Sequence, residues 1–389
     1  MKKILQITNR LVIGGPSKHV AMLANALQAD YEVMVVGGTA APGEVLALDL
    51  FAGLKNEPIL IPELSRKLSL SRDYKVYRKL RKIIQDFQPD IVHTHTSKVG
   101  ALGRYAAKKE GVSKIIHTYH GLIYENYFSG IINKGLIHLD RYLASFTNQI
   151  IALSHTQKEL LSHKYHIADS IKINIIPLAL NLNEFMLDNR KREEFRQKYH
   201  LKPETIAIGI IGRLAEIKNI KLFIESIRYL KGDTSTIVKA FIVGDGPEKE
   251  TLKLYTRELG LSCSDGASTI EQQDIYFTSW CKDLNFVLSG LDIVALTSLN
   301  EGTPMSIMEA QSAGKAIIAS RVGGVEDILP EGTGFLFEVS KSQMYFEELL
   351  KLVEDKDLRN QLGNNAADYS KQKYDITIMI DKMLDVYQS

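Results

Sequence analysis

Short, nearly unbroken runs of isoleucine and valine alternate with segments whose apolar residues recur at helical spacing, and the whole pattern starts over near residue 200. A strand such as 206–211, apolar at every position but its glycine, leaves no polar face for water. Strands of that kind belong in parallel sheets covered by helices on both faces. In the first half the strands read as 4–8, 33–36, 58–61, 89–94, 114–118, 149–153 and 171–176. In the second they read as 205–212, 236–243, 274–278, 292–297, 316–320 and 334–337. A chain of 389 residues is also too long for one ordinary core, so two α/β domains are expected. The polar stretch 180–201, with Arg190, Lys191 and Arg192, reads as their junction. The polar segment 262–274 reads as a loop.

Several function classes fall away on composition. A formal net charge of +2 gives no global field for nucleic acid. The two cysteines, Cys263 and Cys281, have no metal-ligand spacing and read as reduced thiols. Charged residues interrupt every apolar stretch before it reaches membrane-spanning length. The N-terminus starts basic and turns apolar, but Gln6, Asn9 and Arg10 break it too early for a signal peptide, so a cytoplasmic location is expected.

Ligands of parallel sheets bind where strands end and loops meet helix N-termini. Five such places carry unusual residues. After the strand near 297, Glu301-Gly302-Thr303-Pro304 leads into a helix, with Thr303 expected as its N-cap and Pro304 at its first position. The free amide groups there suit a phosphate, and Glu309 lies within the same helix. By position alone Glu309 reads as a solvated residue of a capped helix. Arg213 directly follows the strand 205–212, and Lys218 opens the next helix; two cations there suit a diphosphate. Gly244-Asp245-Gly246-Pro247 lacks the third glycine of a dinucleotide fingerprint, and fits either a nucleotide-approaching turn or a plain tight one. In the first half, Gly14-Gly15 lets backbone approach a ligand, and His120-Gly121 follows a strand end; His93 and His95 read as structural hydrogen-bonding residues.

With these pieces in order along the full length, the chain resembles the retaining glycosyltransferases of family 4, which have the GT-B fold of two Rossmann-like domains facing across a cleft. The resemblance rests on Gly14-Gly15-Pro16, His93-Thr94-His95, His120-Gly121, Gly212-Arg213-Leu214 with Lys218, Gly244-Asp245-Gly246-Pro247 and Glu301-x7-Glu309. It implies an acceptor-side domain at 1–178, a hinge at 179–200, a nucleotide-sugar domain at 201–370 and a C-terminal helix, 371–389, returning to the first domain. It implies that Arg213 and Lys218 hold the donor diphosphate, and that Glu301 and the backbone of Gly302 contact sugar or diphosphate. Gly244, Gly246, Thr303 and Pro304 would line the nucleotide site, and Glu309 would bond the ribose hydroxyls. Gly15 would approach the donor phosphate when the cleft closes, and His120 would touch the sugar. One departure is Ile176-Pro177-Leu178-Ala179-Leu180-Asn181, where many members have Pro-Asn-Gly and an acidic residue.

The implied reaction moves a sugar, with retention, from a nucleotide-sugar leaning to uridine onto a glycan or lipid-linked acceptor. Fixed cations at the leaving group take the place of a metal, so neither metal nor cofactor is expected, and the nucleotide-sugar is a substrate. The one Asp-x-Asp, Asp355-Lys356-Asp357, reads as a solvated helix surface. A nucleotide-sugar epimerase of the same fold and a non-catalytic nucleotide-sugar binder are the alternatives. Between residues 63 and 82 eight basic residues face two acidic ones. Arg78, Lys79, Arg81 and Lys82, with Tyr124 in a later apolar loop, are therefore expected either at an anionic membrane and acceptor or on a merely solvated face.

Overall fold

The computed structural model describes residues 1–41, 44–65, 68–122, 124, 130–267 and 273–389. The chain divides into two compact units, Met1–Leu178 with Thr377–Ser389, and Ala179–Ile376. Each is built on a seven-stranded sheet whose paired strands are all parallel.

The first unit carries β1 (Lys3–Arg10), β2 (Glu32–Gly38), β3 (Ile59–Leu60), β4 (Ile91–His95), β5 (Lys114–Thr118), β6 (Gln149–Ala152) and β7 (Ile173–Ile175). Their order across the sheet is β3-β2-β1-β4-β5-β6-β7, so the direction of winding reverses between β1 and β4. Leu5, Ile7, Val92 and Ile115 from the strands pack with Val76, Leu80 and Ile84 of the helix Leu70–Phe87 and with Val99 of the helix Ser97–Lys109. The helix Ile376–Gln388 closes this unit: Met379, Met383 and Val386 are buried, and the buried Tyr387 hydroxyl meets His93 Nδ1 at 2.6 Å.

The second unit carries β8 (Ile206–Ile211), β9 (Val238–Val243), β10 (Cys263–Asp265), β11 (Ile275–Ser279), β12 (Ile293–Leu296), β13 (Ala316–Ser320) and β14 (Phe335–Phe337), in the order β10-β11-β9-β8-β12-β13-β14. Winding reverses between β8 and β12. Every residue of β8, β12 and β13 is buried, as their unbroken apolar sequences require. Strand β10 lies inside the segment expected to be a loop. It is an edge strand of three residues, Cys-Ser-Asp, paired only with β11, and too short and polar to signal itself.

The segment expected as a hinge belongs to the second unit. Its helix Asn189–Lys198 is capped by Asp188, which accepts from Arg190 N and Lys191 N. Phe195, fully buried, makes tilted and edge-on ring contacts with Tyr199, Phe241 and Phe286, and Arg192 pairs with Asp292 at 2.6 Å. Abundant charge masked this one buried face in the sequence. Asp355 and Asp357 are exposed, as expected of a solvated surface, and Asp355 also caps the helix Lys356–Lys373 by accepting from Leu358 N.

Beside that anchor, burial lowers the Lys315 ammonium to about 7. Its Nζ donates to the carbonyls of Ser289 at 3.2 Å and Leu291 at 2.9 Å. Below about 7 the group is charged in both folded and unfolded chains, and the full cost of burying the charge is present. Between about 7 and the 10.5 of a free lysine, unfolding takes up a proton, so this cost is relieved as pH rises. The stability of the wild type relative to Lys315→Met is therefore expected to increase from about pH 7 to 9, at most by about 1.4 kcal/mol per pH unit. Denaturant titrations across that range check it; a pH-independent difference contradicts it.

Candidate active site

In the second unit the loops that follow β8 and β12 meet at the point where winding reverses. Thr297 Oγ1 donates to the carbonyls of Lys218 at 3.1 Å and Asn219 at 3.0 Å, and Leu299 N donates to Ile217 O at 2.8 Å. This stitching brings Lys218, in the short turn Glu216–Lys218, against Glu301: Nζ and Oε1 are 2.5 Å apart. Ser298 Oγ donates to the same carboxylate oxygen at 2.6 Å. Both charged side chains are largely shielded, with 23% and 11% of their surfaces exposed, which strengthens their attraction relative to an open surface pair. Arg213 lies partly exposed one residue beyond Gly212, on the same loop.

The Gly-Asp-Gly turn after β9 packs directly on the loop after β8. Gly212 N donates to Val243 O and Leu214 N to Asp245 O, each at 2.9 Å. A β-carbon on Gly244 would stand 1.9 Å from Gly212 O, and one on Gly246 would stand 2.2 Å from Leu214 O. The backbone at Gly244, with φ of 142°, adds to the demand for glycine. Both glycines thus have a packing reason to be there. Lys249, which no motif in the sequence marks, reaches Ser279 Oγ at 2.9 Å and Asp265 at 3.1 Å beside this turn.

Glu301 and Gly302 are held from the other side by Gly323 and Gly324, also unnoticed in the sequence. Gly324 N donates to Gly302 O at 2.9 Å, and a β-carbon on Gly323 would lie 1.8 Å from Glu301 O. Ser320 Oγ, at the end of β13, donates to Ser298 O at 2.8 Å. A Gly-Gly pair just past a strand end was the signal available for them.

The following helix, Met305–Ser312, is capped by Pro304 and not by Thr303 as expected. Pro304 keeps an extended backbone, with ψ of 110°, so the helix begins one residue later, and proline has no side-chain group to cap it. Within its first turn Ile307 N donates back to Pro304 O at 3.1 Å, and the amide groups before it point toward an acceptor beyond the helix end. Glu309 is buried, 3% exposed, and so is no solvated helix residue.

In the first unit, the reversal of winding at β1/β4 gathers histidines. His95 ends β4, His120 follows β5, and His19 lies on the helix Gly15–Leu27 that follows β1. His95 Nδ1 and His120 Nε2 are 3.0 Å apart. His93 is committed elsewhere, to Tyr387 and to Thr118 Oγ1 at 2.8 Å, and His117 Nδ1 meets Thr94 Oγ1 at 2.8 Å. Burial drives His93, His95, His117 and His120 well below the ordinary imidazole range, and lowers His19 to about 4. All five are neutral at physiological pH. Gly15 is the first residue of its helix and not part of a loop, while Gly14 before it is extended. Arg10, at the end of β1, forms a shielded ion pair with Glu44 at 2.5 Å.

Tyr124 is buried, and its hydroxyl donates to Asp140, so it is a packing residue and not an open contact group. Of its expected loop, 122–128, residues 123 and 125–128 lie outside the described residues, as do Arg66 and Lys67. On the helix Leu70–Phe87, Lys79 pairs with Glu63 at 2.8 Å, Arg81 pairs with Glu110, and Lys82 pairs with Asp86 at 3.3 Å. Among the described residues Arg72, Lys75 and Arg78 make no ion pair and are exposed. Three of the four cations singled out in the sequence are therefore partly neutralised.

Two family models divide the chain between them: Glycosyltransferase Family 4 matches residues 13–184 and Glycosyl transferases group 1 matches residues 191–369. The UDP-Gal:alpha-D-GlcNAc-diphosphoundecaprenol alpha-1,3-galactosyltransferase of Escherichia coli is 30% identical over 330 residues, 84% of this chain and 82% of its own. The chain is a family 4 glycosyltransferase. This transferase is also 25% identical to the N,N'-diacetylbacillosaminyl-diphospho-undecaprenol alpha-1,3-N-acetylgalactosaminyltransferase of Campylobacter jejuni, over 79% of each chain. Its fold is GT-B, like that of Anabaena HepE, solved in complex with UDP, which superposes with a TM-score of 0.77 at 19% identity over the whole of both chains. No helix of the transferase, among the described residues, is long and apolar enough to cross a membrane.

Proposed function

We propose that this transferase moves a sugar from a UDP-sugar, with retention and without a metal, onto a lipid-linked saccharide in the synthesis of a bacterial surface glycan. The observation that carries the reading is the cluster after β8 and β12, where Lys218, Arg213, Glu301 and an uncapped helix N-terminus converge. Breaking a sugar–phosphate bond leaves negative charge on the diphosphate, and preorganised cations and amide groups lower that barrier. Without ligand, Glu301 holds Lys218; an incoming diphosphate competes for the ammonium. Glu309 bonds the ribose hydroxyls, the turn at Gly244 and Gly246 faces the nucleotide, and Gly15 and His120 meet the phosphate and the sugar. The donor base and the diphospholipid acceptor are those named for the Escherichia coli relative, and the Campylobacter jejuni relative is likewise named for a diphospho-undecaprenol acceptor.

A lipid-linked acceptor calls for a surface that meets the membrane. The helices Leu70–Phe87 and Gly130–Ser145 each contact the helix Ser97–Lys109 between them. The first exposes Leu70 and Tyr74 beside Arg72, Lys75 and Arg78, and the second exposes Ile131, Ile132, Leu139 and Tyr142. Such a mix of apolar groups and unpaired cations suits an anionic lipid surface, at about 1 kcal/mol per cation near it. The protein is expected to sediment with anionic vesicles at low salt but not with neutral ones. Replacing Arg72, Lys75 and Arg78 by glutamine is expected to weaken binding by up to about a hundredfold. Replacing the paired Lys79, Arg81 and Lys82 is expected to matter less. A wild type that ignores anionic vesicles contradicts the membrane part alone.

The reaction itself is tested by incubating the protein with a panel of nucleotide-sugars and a polyprenyl-diphosphate saccharide. Acceptor-dependent release of nucleoside diphosphate, undiminished by EDTA, is expected. An altered nucleotide-sugar without acceptor marks an epimerase, and binding without turnover marks a carrier.

A further inference from the structure

His19, His95 and His120 come from three separate elements of the first unit, and one ring nitrogen of each lies within 4.8 Å of the others. Their ring centroids are 5.2 to 5.8 Å apart. His19 is 1% exposed, yet among the described residues neither of its ring nitrogens has a hydrogen-bond partner, and neither has His95 Nε2. A buried imidazole with both nitrogens idle is uncommon, because losing hydration without a replacement partner costs free energy. His93, packed against His95 with centroids 4.2 Å apart, shows the ordinary arrangement, since both its nitrogens are engaged.

We propose that His19, His95 and His120 form a binding site for a divalent transition metal, zinc in particular. Neutral imidazoles are the commonest ligands of such ions, and three of them with one open position is a known zinc arrangement. At a Zn–N distance of about 2.0–2.1 Å, tetrahedral geometry places ligand nitrogens about 3.3 Å apart. The pair His95 Nδ1 and His120 Nε2, at 3.0 Å, already stands near that separation. With all three ligand nitrogens within 4.8 Å of one another, the widest separation must close by at most about 1.5 Å, within reach of a side-chain rotation at His19. The ion takes the place of the hydrogen now shared by His95 and His120, and that proton moves to a distal ring nitrogen or to water. His93 and His117 sit behind the site with ring nitrogens bonded to Thr118 and Thr94, which fixes the sheet ends carrying His95 and His120. A fourth position is left for water or an anion.

Such a site regulates the reaction, a consequence that rests on the reading of His120 as the group touching the sugar. Metal on His120 occupies the lone pair and the space the sugar needs, so zinc inhibits transfer.

The test uses the full chain freed of metal by chelation. Calorimetric titration with Zn²⁺ is expected to show one ion per chain with a Kd of about 1 μM or tighter, and Co²⁺ is expected to give the visible bands of tetrahedral coordination. His19→Gln is expected to weaken zinc binding at least about tenfold, whereas His163→Gln, at an exposed residue of the same unit, leaves it unchanged. Transfer by the wild type is expected to fall with added Zn²⁺ and to recover with EDTA, and His19→Gln is expected to resist. A wild type that binds no zinc at about 100 μM, or whose binding is unaffected by His19→Gln, overturns the site. Binding that His19→Gln weakens, without any inhibition, upholds the metal site and overturns the placement of His120 at the sugar.

Discussion

Arg213→Ala and Lys218→Ala are each expected to lower kcat for sugar transfer by about a hundred- to a thousandfold, the scale on which loss of one charge-stabilising donor acts. The effect falls on kcat because the cations meet more charge in the transition state than in the bound donor. Lys218 carries a second consequence. Its removal leaves the Glu301 carboxylate, 11% exposed, accepting from Ser298 at 2.6 Å but without the cation that stands at 2.5 Å. A Lys218→Ala, Glu301→Gln double variant is therefore expected to be more stable than Lys218→Ala alone, while remaining inactive. Both alanine variants should keep the wild-type fold by circular dichroism, since both side chains are partly exposed loop groups. Near-normal kcat in both removes these residues from the mechanism.

The largest effect on stability is expected at Arg104. Its side chain is fully buried on the helix Ser97–Lys109, with Nη2 2.7 Å from Asp140 Oδ1 and Nε 3.2 Å from Gly100 O. Asp140 also accepts from the Tyr124 hydroxyl, and burial together with the neighbouring carboxylate pushes that phenol far above its ordinary range. Removing the guanidinium strands a buried carboxylate. Arg104→Met is expected to destabilise the protein by about 3–5 kcal/mol, and adding Asp140→Leu is expected to restore much of it. Urea titrations of the three proteins check this. A loss under about 1 kcal/mol in Arg104→Met contradicts the account of the pair.

What could be read from the amino-acid sequence follows how locally each feature is encoded. Strand β8 announced itself because six buried residues in a row leave one solution. Strand β10 did not, because three polar residues gain their structure from one neighbour at the sheet edge. The helix Asn189–Lys198 was hidden because a single face, around Phe195, is buried beneath a charged sequence. The residues proposed for the donor were legible through their positions after strands, but their pairing was not. Lys218 and Glu301 are 83 residues apart and meet only because β8 and β12 lie side by side. The histidines show the same limit. His19 was never singled out, since one histidine on an amphipathic helix has no signature. The sheet order that places β4 beside both β1 and β5 brings it to His95 and His120.

The central claim is that the cluster after β8 and β12 carries sugar transfer from a nucleotide-sugar. The most direct measurement is proton NMR of the product formed from an α-linked UDP-sugar and a polyprenyl-diphosphate saccharide, compared for wild type and Lys218→Ala. The account predicts a new glycoside whose linkage keeps the donor's α configuration, formed with stoichiometric UDP by the wild type and nearly absent with the variant. A β-linked product, or equal product from both proteins, would contradict it.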